Sequence, residues 1–137
     1  MDEFIRLVIK YESLRLHSYL CPAGVWTIGY GSTGPGIGPG IVWTKEQATQ
    51  RLLKDTRIYW LAVRKLVPNA PETHVAALAD FAYNLGLTRL KSSTLLKKYK
   101  QGDLAGARVE IKKWVHAGGK KLRGLELRRA EEASLLV

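Results

Sequence analysis

The chain has 137 residues, 46% hydrophobic and 25% charged, an ordinary balance for one globular domain able to bury its own core. Cys21 is the single cysteine, which excludes an intrachain disulfide, and with only three histidines the chain has too few ligands for a structural zinc site, so neither a metal nor a cofactor is expected. Twenty-two Lys and Arg against 12 Asp and Glu give a net charge of +10, which draws the chain to an anionic partner without choosing among nucleic acid, membrane surface and cell-wall polymer.

No apolar run approaches the length of a membrane span. The opening Met1-Asp2-Glu3-Phe4-Ile5-Arg6 is charged and unlike a secretory signal, so synthesis in a host cytoplasm is expected. Asp2 is a candidate cap for a first helix. Apolar residues then recur at Phe4, Ile5, Leu7, Val8, Tyr11 and Leu14 with a helical period, and Glu12 falls at the helix end.

Residues 16–43 are punctuated by glycine and proline. The β-prone runs Val25-Trp26-Thr27-Ile28 and Ile41-Val42-Trp43 lie among them, and together they predict a small antiparallel sheet with tight turns. Thr44-Lys45-Glu46-Gln47 is a capping box that opens a long helix over about 45–66, closed by Pro68 and Pro71. Further helices are predicted over about 72–85, 91–100, 104–116 and 124–135. Gly86 ends the first of these, Asp103 caps the third, and Gly118-Gly119 stop it.

The expected fold is α+β and mainly helical, in a single domain spanning 1–137. A small N-terminal sheet lobe (about 13–43) is joined by a long helix (about 44–66) to a helical lobe (about 67–137). Two such lobes leave a cleft between them, where substrates tend to bind.

Glu12 lies in an apolar neighbourhood at the mouth of the strand-rich segment. Burial raises a carboxyl's pKa, the property a general acid needs, whereas a helix-end glutamate on the surface does no chemistry. The residues themselves leave both readings open. Thr27 is either a β-branched strand residue or a hydroxyl that holds a water. Cys21 is either a small buried apolar residue or a proton acceptor.

The segment from Glu12 to Gly31, with Cys21-Pro22-Ala23-Gly24 and Thr27-Ile28-Gly29-Tyr30-Gly31, resembles the catalytic segment of the phage-type lysozymes (endolysins). The resemblance continues in Thr44-Lys45-Glu46-Gln47-Ala48, Phe81-Ala82-Tyr83-Asn84-Leu85-Gly86 and Lys91-Ser92-Ser93-Thr94-Leu95-Leu96. It closes with Trp114-Val115, Ala117-Gly118-Gly119, Gly124-Leu125 and Arg128-Arg129-Ala130-Glu131, so it covers nearly the whole chain in order.

The resemblance implies a lysozyme-like fold and a glycosidase that cuts the β-1,4 bond between N-acetylmuramic acid and N-acetylglucosamine in bacterial peptidoglycan. It implies catalysis by Glu12, Cys21 and Thr27, with Glu12 as acid and an inverting water held near Thr27 and Cys21. It further implies substrate contacts from Tyr30, Asn84 and Arg128. Two positions depart from the family pattern. Cys21 stands where many members have Asp, and Ser32 where the usual run has His.

Other roles stay open. Arg128 or Arg129 either reaches the cleft to pair with Glu12 or lies exposed on an amphipathic helix. Asn84 either binds an N-acetyl group or caps a helix beside Gly86. His17, His74 and His116 are expected at the surface or in caps, and Trp43, Trp60 and Trp114 in the core, with Trp26 at the cleft border. Lys97-Lys98 and Lys112-Lys113 read as solvated helix faces.

The expected partner is peptidoglycan, met by a monomer after release through a membrane pore. Membrane contact is not required, and nucleic acid is not a partner because no recognition module is present. The rival readings are a wall-binding protein with weakened catalysis and a cationic membrane-active protein.

Overall fold

The computed structural model describes all residues, 1–137. Helix α1 (Asp2–Tyr11) buries Phe4, Leu7 and Val8, the stripe its periodicity predicts. Asp2 is not its cap. It is the first helical residue, where its charge and that of Glu3 favour the positive helix end. At Glu12 the backbone turns extended (φ −94°, ψ 120°) while its amide still bonds the Val8 carbonyl at 2.8 Å. Glu12 is thus the point where helix hands over to sheet.

Strands β1 (Arg15–Leu20) and β2 (Trp26–Gly29) pair antiparallel, with Tyr19 opposite Thr27 and Leu20 opposite Trp26. The turn between them holds Cys21, whose amide bonds the Val25 carbonyl at 3.0 Å. The sequence does not mark β1, because its residues alternate poorly and half of them stay exposed. Conversely, residues 41–43 form no regular strand. They add one bridge, Val42 to His17, because the run is short, leads straight into the Thr44 cap, and leaves Val42 exposed.

Helix α2 (Lys45–Leu66) opens with the predicted capping box: Thr44 Oγ1 accepts from the Gln47 amide at 3.1 Å and Gln47 Oε1 from the Thr44 amide at 2.8 Å. Helix α3 (Glu72–Leu85) is the centre of the helical lobe, with nine consecutive buried residues from His74 to Ala82. A helix that is apolar nearly all round must be surrounded. Helices α1, α2, α4 (Leu87–Ser92) and α7 (Arg123–Leu135) pack on it.

The helix expected over 91–100 is two helices, α4 and α5 (Thr94–Lys100), broken at Ser93. Its hydroxyl caps the Leu96 amide at 3.0 Å and its backbone is extended. Helix α6 (Leu104–Ile111) is capped by Asp103 as predicted but ends before residue 116. The chain turns out at Trp114 and forms a small hairpin, β3 (His116–Ala117) with β4 (Lys120–Lys121). Gly118 and Gly119 make its turn at φ +58° and +77°, a region that favours glycine.

Phe81 meets Trp114 edge to face at 5.3 Å, and Trp43, Trp60 and Trp114 all pack against the core. His17 and His116 are exposed, but His74 is buried between the Tyr99 hydroxyl (2.8 Å) and the Val137 carbonyl (2.9 Å). Position three of a buried helix, not its own polarity, decides that placement. Lys97, Lys112 and Lys113 lie on solvated faces, with Lys98 half-buried. No helix is long and apolar enough to cross a membrane. The architecture is the α+β, mainly helical arrangement expected, seven helices with two small two-stranded sheets.

Candidate active site

A cleft of about 580 Å³ runs between the sheet segment and the helices. Glu12, Cys21, Thr27 and Asn84 all line it. Three of these four come from the first 27 residues, so the turn out of α1 and the β1–β2 pair set their relative positions. Asn84 arrives from the far end of α3.

The Glu12 side chain is 23% exposed and is held by a cation: Arg128 Nη1 donates to its Oε2 at 3.2 Å. Arg128 is itself buried. Its Nε and Nη2 donate to the two carboxylate oxygens of Asp80, each at 2.8 Å, and Asp80 is fully buried. Burial alone would favour losing the Arg128 proton, but the Asp80 and Glu12 carboxylates outweigh it and hold the guanidinium firmly charged. Between the two cations the structure decides for Arg128. Arg129 turns the other way, into full burial, where it meets Glu132 and donates to Asn84 Oδ1 at 2.8 Å.

Gly31 closes the other side of Glu12. It takes φ +82°, and a Cβ there would stand 2.6 Å from Glu12 Oε1. Glycine meets both demands, the backbone conformation and the close approach.

Thr27 is buried, and its hydroxyl donates to the Val25 carbonyl at 3.0 Å. With its proton so committed, the oxygen faces the cleft as an acceptor. The Cys21 thiol is held below its ordinary range, chiefly by the Val25 backbone amide. Desolvation opposes this, and the Ala23 and Gly24 backbone amides assist it. More thiolate is therefore present near neutrality than in a free cysteine.

Asn84 lines the cleft with its amide oxygen occupied by Arg129, so it offers N–H donors there. Its backbone also precedes the α3 terminus at Gly86 (φ +101°), so proximity to the cap and a place in the cleft coexist. Tyr30 departs from expectation. Its side chain packs in the core, 8% exposed and away from the cleft lining, because β2 turns it inward. Only its carbonyl is used, accepting from the Tyr83 hydroxyl at 2.6 Å. Trp26 is half-buried and also outside the lining.

Several site residues escape sequence reasoning. Asp55, Tyr59, Tyr83 and Tyr19 all line the cleft. Asp55 is fixed by Arg51 Nε at 2.8 Å and by Ser32 Oγ at 2.7 Å, while Arg51 Nη2 also bonds the Thr33 carbonyl at 2.8 Å. Ser32, read only as a departure, is thus a buried hydroxyl tying the sheet segment to α2. Nothing in the local pattern of α2 marks Asp55. Asp80 carries a signal: it is the one acid in the apolar run 75–82 of α3, and such a residue needs a buried partner. Burial raises the Tyr83 and Tyr19 phenols, with Asp55 and then Glu12 adding for Tyr83 and Glu12 adding for Tyr19, so both stay neutral donors.

The phage lysozyme family profile matches residues 9–132. A SAR-endolysin of Bacteriophage PS119 is 38% identical over 88% of this chain and 73% of its own. An endolysin of Acyrthosiphon pisum secondary endosymbiont phage 1 is 39% identical over 94% of this chain and 91% of its own. Among solved structures, the endolysin from Escherichia coli O157:H7 phage FAHEc1 superposes with a TM-score of 0.83 at 32% identity, covering 100% of this chain and 92% of that one. The muramidase domain of SpmX from Asticaccaulis excentricus superposes with a TM-score of 0.87 at 29% identity, covering 100% of this chain and 96% of that one. By sequence and by fold, this chain belongs to the phage lysozyme family and is a peptidoglycan hydrolase.

Proposed function

We propose that the chain is an N-acetylmuramidase that cleaves the β-1,4 bond between N-acetylmuramic acid and N-acetylglucosamine, with Glu12 as the general acid. The observation that carries this reading is one cleft lined by Glu12 together with Cys21 and Thr27, with Arg128 fixing the carboxyl. A proton donor on one part of the wall and a water-holding pair on another are the two requirements of glycoside hydrolysis.

Glu12 gives its proton to the glycosidic oxygen as the bond from that oxygen to the anomeric carbon breaks. A water accepted by Thr27 Oγ1 attacks the same carbon, and its proton passes to the Cys21 thiolate. The two protons then re-equilibrate through solvent, and one water has been added across the bond. Attack by water from the face opposite the leaving oxygen inverts the anomeric centre. Asn84, donor side outward, suits the carbonyl oxygen of an N-acetyl group.

The depressed thiol favours one second scheme, direct attack by Cys21 on the sugar. Mass spectrometry of a trapped glycosyl adduct on Cys21 separates the two, since the water scheme forms none. The chain acts as a monomer on the wall after release through a membrane pore, and the bond cleaved lyses the host. Reducing-end release from purified peptidoglycan by the parent chain and by Glu12→Gln tests the reading. Equal release by the two would remove Glu12 from the chemistry, whereas binding to the wall with no release of reducing ends by the parent would favour the wall-binding alternative.

A further inference from the structure

Four ionisable side chains are buried in one cluster between α3 and α7: Asp80, Arg128, Arg129 and Glu132. Arg129 and Glu132 face each other at 2.7 Å, and the Glu132 carboxyl is pushed well above its usual range by burial, with Asp80 beside it reinforcing the shift. Asp80 is therefore the carboxylate in this cluster on which Arg128 closes its fork.

The geometry of that fork has a consequence at the cleft. A guanidinium offers two paired edges to carboxylates. Asp80 occupies the Nε/Nη2 edge completely, through two bonds of 2.8 Å. Glu12 receives only Nη1, through one contact of 3.2 Å. Asp80 thus anchors the guanidinium and shares the positive charge that reaches Glu12.

We infer that Asp80 is a positioning residue for the acid. By holding the Nε/Nη2 edge of Arg128, it fixes the guanidinium where Nη1 reaches Glu12 and shares the positive charge with it. The effect reaches the reaction only through Arg128, since Asp80 is fully buried and lies outside the cleft lining. The other ionisable groups around Glu12 are Tyr11 on α1, Tyr19 on β1, Cys21 in the β-turn, Asp55 on α2 and Tyr83 on α3. Arg128 is the one cation within bonding distance of it. Neutralising Asp80 therefore leaves more of Arg128's charge to Glu12, and a less opposed neighbouring cation favours the ionised carboxylate.

The inference rests on Glu12 being the acid, and the two claims fail separately: an active Glu12→Gln sinks the acid, whereas the test below addresses Asp80. Asp80→Asn and Asp80→Ser are compared with the parent on soluble glycan strands, which removes pH effects on wall attachment. Rates are taken across pH in the cold, after circular dichroism confirms folding. The expected result is that the alkaline limb of the profile moves to lower pH by about 1 unit, while Asp80→Glu, which keeps the charge, restores it toward the parent. A limb that stays at the parent's pH in both neutral variants, whatever the rate, overturns the inference. So does failure of both to fold even in the cold, which would make Asp80 a stability residue only.

Discussion

The α-carbon of Gly31 lies so near the carboxyl of Glu12 that a methyl group on it would stand 2.6 Å from Oε1. The motif glycine and the acid are therefore one packing unit, although 19 positions apart in sequence. Gly31→Ala is expected to act twice. The positive φ of +82° costs about 1–2 kcal/mol for an L side chain, and the methyl displaces the Glu12 carboxyl from its place beside Arg128. Urea denaturation should show the first effect, and a loss of turnover of about a hundredfold the second. A variant that is destabilised yet fully active would show that Glu12 does not need this position.

Cys21 is expected to be a less available proton acceptor at acidic pH than the carboxylate usual in the family, because less of it is ionised there. Even lowered by the Val25 amide, a thiol begins from a higher value than an aspartate. Cys21→Asp should raise the rate at slightly acidic pH, where little thiolate exists. The parent should gain relative to that variant as pH rises through the thiol's range. Alkylation with iodoacetamide should stop the parent and spare Cys21→Asp. Rates that fall in Cys21→Asp at every pH would assign the cysteine a packing role.

Ser32→Ala tests the tie between the sheet segment and α2. Losing the 2.7 Å bond to Asp55 leaves that carboxylate with Arg51 alone, at a cost of about 1–2 kcal/mol for a half-buried acceptor. Thermal unfolding should register this loss, and an unchanged midpoint would show that Arg51 suffices.

How far the sequence reveals this site follows from the range of its interactions. The Thr44 capping box, the α3 stop at Gly86 and the spacing of Glu12, Cys21 and Thr27 are local, and each is legible in a few adjacent residues. The pairing of Glu12 with Arg128 joins positions 116 apart, and only the family resemblance pointed to either arginine. Choosing Arg128 over Arg129 required the helix rotation that places one toward the cleft and the other inward. Tyr30 and His74 were misplaced for the same reason, since neighbours from other elements decide which way a side chain faces. The break at Ser93 was hidden because a serine hydroxyl can end one helix and cap the next within a single residue.

Glu132 should leave a signature in stability against pH. Burial raises its carboxyl well above the ordinary value, so the folded chain binds this proton more tightly than the unfolded chain does. The resulting stabilisation is full below about pH 4.3, the unfolded value, and declines as pH rises toward the folded one. Glu132→Gln removes that slope. Its stability relative to the parent should therefore improve between about pH 4 and pH 7 in urea titrations. Parallel curves would mean that Glu132 is ionised in the fold throughout.

The most direct test of the account is reducing-end release from purified peptidoglycan by folded Glu12→Gln. Gln keeps the shape of Glu12 and its place beside Arg128 but has no proton to give. The expected rate is at least about a hundredfold below the parent, with thermal stability nearly unchanged. Release at the parent's rate by a folded Glu12→Gln would contradict it.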